Sequence, residues 1–199
     1  MSHATATADS RSAPRRRLQP EQRRAEIVDA ATRLIASSGY SGQTLAKFAD
    51  ACEMTKAGLM HYFPTAESLL TAVLDRRDEV DVLSIVSGGD PAVDAAASRT
   101  LLTRLVQRNA RQPQIVQLYT VLSAEALDPG HPAHDYFSDR LARSRAGFEK
   151  YLFAWHPDPA RCAVQVLGFL DGIQLNWLRD PTIDLVAEWE AFAERFYAD

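Results

Sequence analysis

The chain has 199 residues, 46% of them hydrophobic and 24% charged; that suits one ordinary soluble domain, or a small domain fused to a larger one. No apolar run reaches the roughly 18 residues a membrane span needs, and residues 1–18 lack the apolar stretch of a signal peptide, so the expectation is a cytoplasmic protein with no membrane partner. The net charge of −4 is unevenly spread, with 11 Lys/Arg against 10 Asp/Glu in residues 1–80 and 11 against 16 beyond; because phosphate contact depends on the local patch, the acidic total neither excludes nucleic acid nor argues for it.

Residues 1–18 include Arg15-Arg16-Arg17, contain little that can pack, and read as a disordered basic arm. From Pro20, a residue suited to a first helical turn, Ile27, Ala30, Ala31, Leu34 and Ile35 recur on one helical face, and Gly39 supplies the stop. A short second helix is expected after Thr44, a good N-cap, with Leu45, Phe48, Ala49 and Cys52 on one side. Glu53-Met54 makes a tight connection, and Thr55 caps a third short helix through about Phe63. Thr65 caps a fourth, with Glu67 in its first turn and Leu69, Leu70, Val73 and Leu74 on its apolar side, running to about Ser84.

Ser87-Gly88-Gly89-Asp90-Pro91 is the clearest break in the chain. Five helices are expected beyond it, near 91–109, 113–127, 132–155, 159–179 and 183–197, separated at Gln112-Pro113, Asp128 to Pro132, His156-Pro157 and Asp180-Pro181. No stretch alternates in the β manner, so the fold class is all-α with about nine helices. The expected organisation is an arm over 1–18, a three-helix helix-turn-helix domain within 19–80, and a larger helical domain over 81–199.

Two short helices joined by a tight turn and braced by a third have the geometry of a DNA reader. The second of the pair must enter a major groove about 12 Å wide. Thr55 to Tyr62 suits that role, since Lys56 is long and cationic, Ala57 and Gly58 let the backbone approach closely, and Leu59 can face inward. His61 and Tyr62 can donate to phosphates, and Thr44 and Thr55 bring hydroxyls and helix N-termini to the same side. With Met60, these residues form the expected DNA-contacting set.

The run Arg24-Ala25-Glu26-Ile27-Val28-Asp29-Ala30-Ala31, then Gly39-Tyr40, Thr44-Leu45, Phe48-Ala49 and Thr55 through Pro64, with Glu67 and Leu69-Leu70 behind it, resembles the N-terminal domain of the TetR family of bacterial transcription regulators. The likeness covers roughly residues 20–80, and its Thr-Lys-Ala-Gly-Leu form looks like an actinobacterial subgroup. Three positions depart from the family pattern: Glu53 stands where glycine is usual in the turn, Met60 where tyrosine is usual, and Ala66 where lysine is common.

The resemblance implies a C-terminal domain that binds a small-molecule effector and builds a homodimer. The apolar helix from Cys162 to Leu178 and the stripe of the last helix fit pairing across a two-fold axis, with Val166, Ile173, Trp177, Trp189, Phe192 and Phe196 as interface candidates. Tyr119, Trp155, Phe169 and Gln174 are the candidate effector-lining residues, since pockets combine aromatic walls with a few polar groups. Asp171 and Asn176, polar in an apolar helix, either touch an effector or satisfy buried hydrogen bonds.

Other chemistries find little support. His131, His134 and Asp135 read as a Pro-rich loop entering a helix rather than a metal site, because no further ligand cluster accompanies them. Cys52 and Cys162, 110 positions apart and in no CxxC pair, read as free buried thiols. There is no GxGxxG or GxxxxGK[ST] phosphate loop, no GxSxG elbow and no HExxH. The expectation is therefore no enzyme, cofactor or metal, but a repressor that binds double-stranded operator DNA and is released by a small effector. The alternative is a dimeric scaffold or anti-activator that lost DNA binding, which Glu53, Met60 and Ala66 keep in play.

Overall fold

The computed structural model describes residues 19–39, 43–86 and 91–198, with side chains described for all of these except 81–86. The arm over 1–18, Tyr40, and the break at 87–90 lie outside the described residues. Every regular element among the described residues is helical, and none of these helices is long and apolar enough to cross a membrane.

Local signals set most helix ends. α1 (Pro20–Ser38) opens on a proline whose fixed φ suits the first turn and closes on Gly39, whose φ of +72° is open to glycine at little cost. α2 (Leu45–Ala51) is capped by Thr44, whose hydroxyl accepts from the Lys47 N–H at 3.3 Å; Thr55 does the same for α3 (Lys56–Tyr62), accepting from the Gly58 N–H at 3.1 Å. α4 (Ala66–Val86) begins with a reciprocal cap, Ser68 N–H to Thr65 Oγ1 and Thr65 N–H to Ser68 Oγ. It runs two residues past the expected end.

Beyond residue 90 the helices are α5 (Ala95–Ala110), α6 (Pro113–Glu125), α7 (His134–Gly147), α8 (Pro159–Arg179) and α9 (Leu185–Phe196). Two differ from the sequence expectation for physical reasons. α5 starts at 95, not 91, because the Asp94 carboxylate caps it, accepting from the Ala97 N–H at 2.8 Å. The helix expected over 132–155 is α7 followed by a π-helical turn, Phe148–Leu152, ending where the Phe153 N–H returns to the Phe148 carbonyl at 3.0 Å. That widened turn puts both Leu152 and Phe153 in the core, each fully buried.

Two apolar clusters hold the chain together. The first joins α1–α4 through Ile27, Ile35, Phe48, Leu59, Phe63 and Leu69, and it also takes in Ile115, Leu118 and Leu122 of α6 and Phe137 of α7. The second gathers Leu102 and Val106 of α5, Phe148 and Leu152 of the π turn, Val166 and Leu170 of α8, and Leu185 and Trp189 of α9. Trp189 is completely enclosed, and its indole N–H donates to Thr103 Oγ1 at 2.8 Å, tying α9 to α5. Arg99 and Thr103 of α5 also reach the Glu190 carboxylate, at 2.6 and 3.1 Å.

Candidate functional site

The connection between α2 and α3 determines how α3 is presented. The Met54 N–H returns to the Ala49 carbonyl and the Glu53 N–H to that of Asp50, both at 3.0 Å, the paired bonds of a Schellman ending. Such an ending needs a left-handed residue, and Glu53 fills the place with φ +52°. The turn therefore keeps the geometry that glycine usually provides, at a backbone cost of about 1–2 kcal/mol.

α3 is anchored on one side and open on the other. Leu59 and Phe63 are buried, while Lys56, Ala57, Met60 and His61 are exposed and Gly58 and Tyr62 are half-buried. Thr44 and Thr55, at the starts of α2 and α3, are exposed with their hydroxyls engaged as caps. A Cβ on Gly58 would come within 3.2 Å of Thr55 Oγ1, so this glycine keeps the cap of α3 uncrowded. His61 stands edge-on to Tyr62, with ring centroids 5.4 Å apart. α1 braces the pair from behind: Arg23 donates to the Cys52 carbonyl at 3.3 Å and pairs with Glu26, and the Arg24 guanidinium lies 4.7 Å above the Phe63 ring.

A second concavity lies among the C-terminal helices. It has a volume of about 280 Å³, and its apolar wall includes Leu105, Val116, Phe148 and Leu167. Its polar lining includes Arg77 and Asp78 of α4, Asn109 of α5, Tyr119 of α6, Arg140 of α7, and Asp171 and Gln174 of α8. Arg140 grips Asp78 with two nitrogens, at 2.5 and 2.6 Å, and spreads its guanidinium over the Tyr119 ring at 4.0 Å. Burial works against the charge on Arg140, but Asp78 holds the guanidinium firmly protonated. Arg77 donates to the side-chain carbonyls of Asn109 and Gln112.

Asp171 differs from the other charged groups of this wall. Although Asp171 is an exposed residue, desolvation of its carboxyl against the cavity wall pushes it above the ordinary range, with Arg140 pulling the other way, and no ion pair or hydrogen bond joins its side chain to another described residue. Burial also pushes the Tyr119 hydroxyl up.

Of the four effector-lining candidates, Tyr119 and Gln174 line this cavity. Trp155 stacks on Tyr197 and donates to the Leu152 carbonyl at 2.7 Å, and Phe169 stacks on Phe192 with centroids 3.9 Å apart; both pack in the second cluster, off the cavity wall. Asn176 is exposed and also off the wall. Sequence reading missed Arg77, Asp78, Asn109 and Arg140, whose partners lie 32 to 62 residues away. Periodicity carries no signal of that kind.

Among the interface candidates, Val166 and Trp189 are fully buried inside the chain's own core, whereas Ile173, Trp177, Phe192 and Phe196 are half-buried at its edge. The outward side of α8 carries Val164, which is 49% exposed, followed by Gly168 and Gly172. A Cβ on either glycine would meet nothing within 4 Å.

The remaining singled-out residues serve the framework. His131 Nδ1 accepts from the Ala133 N–H, and His134 Nδ1 meets the Ala126 carbonyl at 2.8 Å. Cys52 and Cys162 are free and buried, and burial pushes both thiols above their ordinary range. Cys162 Sγ lies 3.2 Å from His156 Nδ1, beside the Asp158 cap of α8.

Residues 27–73 match the family model described as bacterial regulatory proteins, tetR family. None of the curated proteins compared matches the chain. Among solved structures, a TetR transcription regulator from Haloarcula marismortui ATCC 43049 is 21% identical with a TM-score of 0.71, the match covering 89% of this chain and 97% of that one. The fatty acid degradation regulator FadR from Bacillus halodurans is 22% identical with a TM-score of 0.65, covering 88% and 94%. RolR, solved in complex with resorcinol, is 20% identical with a TM-score of 0.60, covering 89% and 88%. At these identities the likeness is one of fold.

Proposed function

We propose that this chain, which belongs to the TetR family of DNA-binding transcription regulators, is a homodimeric repressor whose grip on operator DNA is loosened when a small molecule fills the cavity lined by Tyr119, Arg140 and Asp171. The observation that carries this reading is the continuity of α4. Its first turns pack Leu69, Leu70 and Val73 into the core that holds α2 and α3, and the turns that follow contribute Leu74, Arg77 and Asp78 to the cavity wall. A ligand that shifts Asp78 or Arg77 moves the helix that carries the DNA-contacting domain, and it favours one arrangement only as far as it binds that arrangement more tightly.

The DNA face is the exposed side of α3, with Ala57 and Met60 toward the groove and Lys56, His61, Tyr62, Thr44 and Thr55 toward the phosphates. Gly58 gives the close approach. Two copies set these helices into successive major grooves about 34 Å apart. The outward side of α8 and the edge of α9, with Ile173, Trp177, Phe192 and Phe196, supply the two-fold contact; Val164, Gly168 and Gly172 let the paired helices approach closely. RolR, with resorcinol bound, supports a ligand in a protein of this fold. Fluorescence anisotropy with a promoter fragment from beside the chain's own gene tests the proposal. Salt-dependent binding of a dimer is expected; no affinity for any duplex at low ionic strength would overturn it.

A further inference from the structure

On the reading that this cavity receives the effector, its lining also narrows what the effector is. At about 280 Å³ it lies just below the usual span of ligand pockets, about 300 to 1,000 Å³, so one or two rings fill it. Most of its wall is apolar. Its polar groups differ in how they are used. Asp78 and Arg140 satisfy one another, Arg77 is held by Asn109 and Gln112, and the exposed Arg143, which also lines the cavity, faces Asp75 at 4.0 Å. Asp171 and Gln174, three residues apart on α8 and so on the same helical face, both reach the cavity, and neither side chain bonds to another described residue.

We propose that the cavity takes a neutral one- or two-ring compound bearing a hydroxyl, which donates its proton to the Asp171 carboxylate and accepts from the Gln174 amide. A hydroxyl serves both groups at once, whereas a purely apolar ligand would strip water from them and return nothing. A carboxylate ligand meets Asp171 as a like charge; Arg140, whose charge acts on Asp171, already has two nitrogens on Asp78, and Arg143 is turned to Asp75. An ammonium ligand is drawn by Asp171 but repelled by Arg140. The Tyr119 face that would stabilise it is already covered by that guanidinium.

Calorimetry on the full chain without DNA, at neutral pH, compares four probes with one bicyclic body: 2-naphthol, 2-naphthoate, (2-naphthyl)methylammonium and naphthalene. The expected result is 2-naphthol bound about tenfold more tightly than each of the others. Tighter or equal binding of the naphthoate or the ammonium, or no binding of any probe, overturns the assignment. In Asp171→Leu and Gln174→Leu the naphthol preference should fall to about threefold or less while naphthalene affinity holds, which shows an intact cavity. If naphthalene binding is lost as well, the ranking on the unaltered chain decides alone. Operator release is scored separately. Naphthol that binds best but leaves operator bound preserves the ligand class and removes effector control; release by the naphthoate or the ammonium does the reverse.

Discussion

Arg140 and Asp78, 62 positions apart, close a two-nitrogen ion pair between α7 and α4, with the Tyr119 ring beneath the guanidinium. The two side chains keep only 18% and 25% of their exposure. Removing one partner strands the other in a poorly hydrated place, a loss of about 3–5 kcal/mol for fully buried pairs. With this residual exposure, Arg140→Met should destabilise the chain by about 2–3 kcal/mol in urea unfolding. Adding Asp78→Asn should recover part of that loss, because the stranded carboxylate is gone. Simple additivity in the double-mutant cycle would show that the pair does not hold α4 to α7.

Glu53 makes an opposite prediction. Its φ of +52° costs about 1–2 kcal/mol, and a glycine there gives back about 0.5–1 kcal/mol in unfolded-chain freedom. Glu53→Gly should therefore stabilise the domain by about 0.5 kcal/mol, read as a small rise in the urea midpoint at constant slope. A lower midpoint would mean that the Glu53 side chain contributes more than its backbone costs.

Which features could be read from the sequence follows from how far each interaction reaches. Thr44, Thr55 and Thr65 were legible because a cap bonds three residues away, and hydroxyl chemistry is written in the residue itself. Asp94 carried the same local signal, although helical periodicity alone drew the start of α5 too early. The π turn at 148–152 was not legible, since it arises from fitting Leu152 and Phe153 together into one core. Periodicity found the apolar stripe of α9 but not what covers it. Trp189 is enclosed by its own chain through Thr103, 86 residues away, while Phe192 and Phe196 remain at the edge. The polar wall of the cavity was hidden for the same reason: α4, α5, α7 and α8 meet there only after folding.

Lys56 tests the DNA face. It is exposed at the first turn of α3. If it contacts a phosphate, Lys56→Ala should weaken binding across sequences and reduce the slope of log affinity against log salt by about one unit. Unfolding should be unchanged, because no core residue is touched. An unaltered slope would remove Lys56 from the DNA contact.

Gly168 tests the two-fold contact without disturbing the chain's own packing. A side chain there meets open space within the protomer, and leucine in place of glycine strengthens an exposed helix by about 0.5–1 kcal/mol. Gly168→Leu should therefore leave the folded chain as stable or more so, yet raise the dimer dissociation constant in sedimentation equilibrium. An unchanged association constant would move the interface off this side of α8.

Asp171 gives a pH signature. Asp171 is an exposed residue, and its folded carboxyl sits above the ordinary range chiefly through desolvation at the cavity wall, against the pull of Arg140. Between the ordinary and the raised value the folded chain holds a proton that the unfolded chain has lost, so stability falls as pH rises through that window, and the full penalty remains above it. Asp171→Asn cannot ionise and avoids the penalty. The variant should match the parent protein at pH values below the ordinary carboxylate range and exceed it slightly in Tm at neutral pH, the gain being small because solvent reaches the residue. A difference in Tm that does not change with pH would show that the Asp171 carboxyl titrates alike in the folded and unfolded chains.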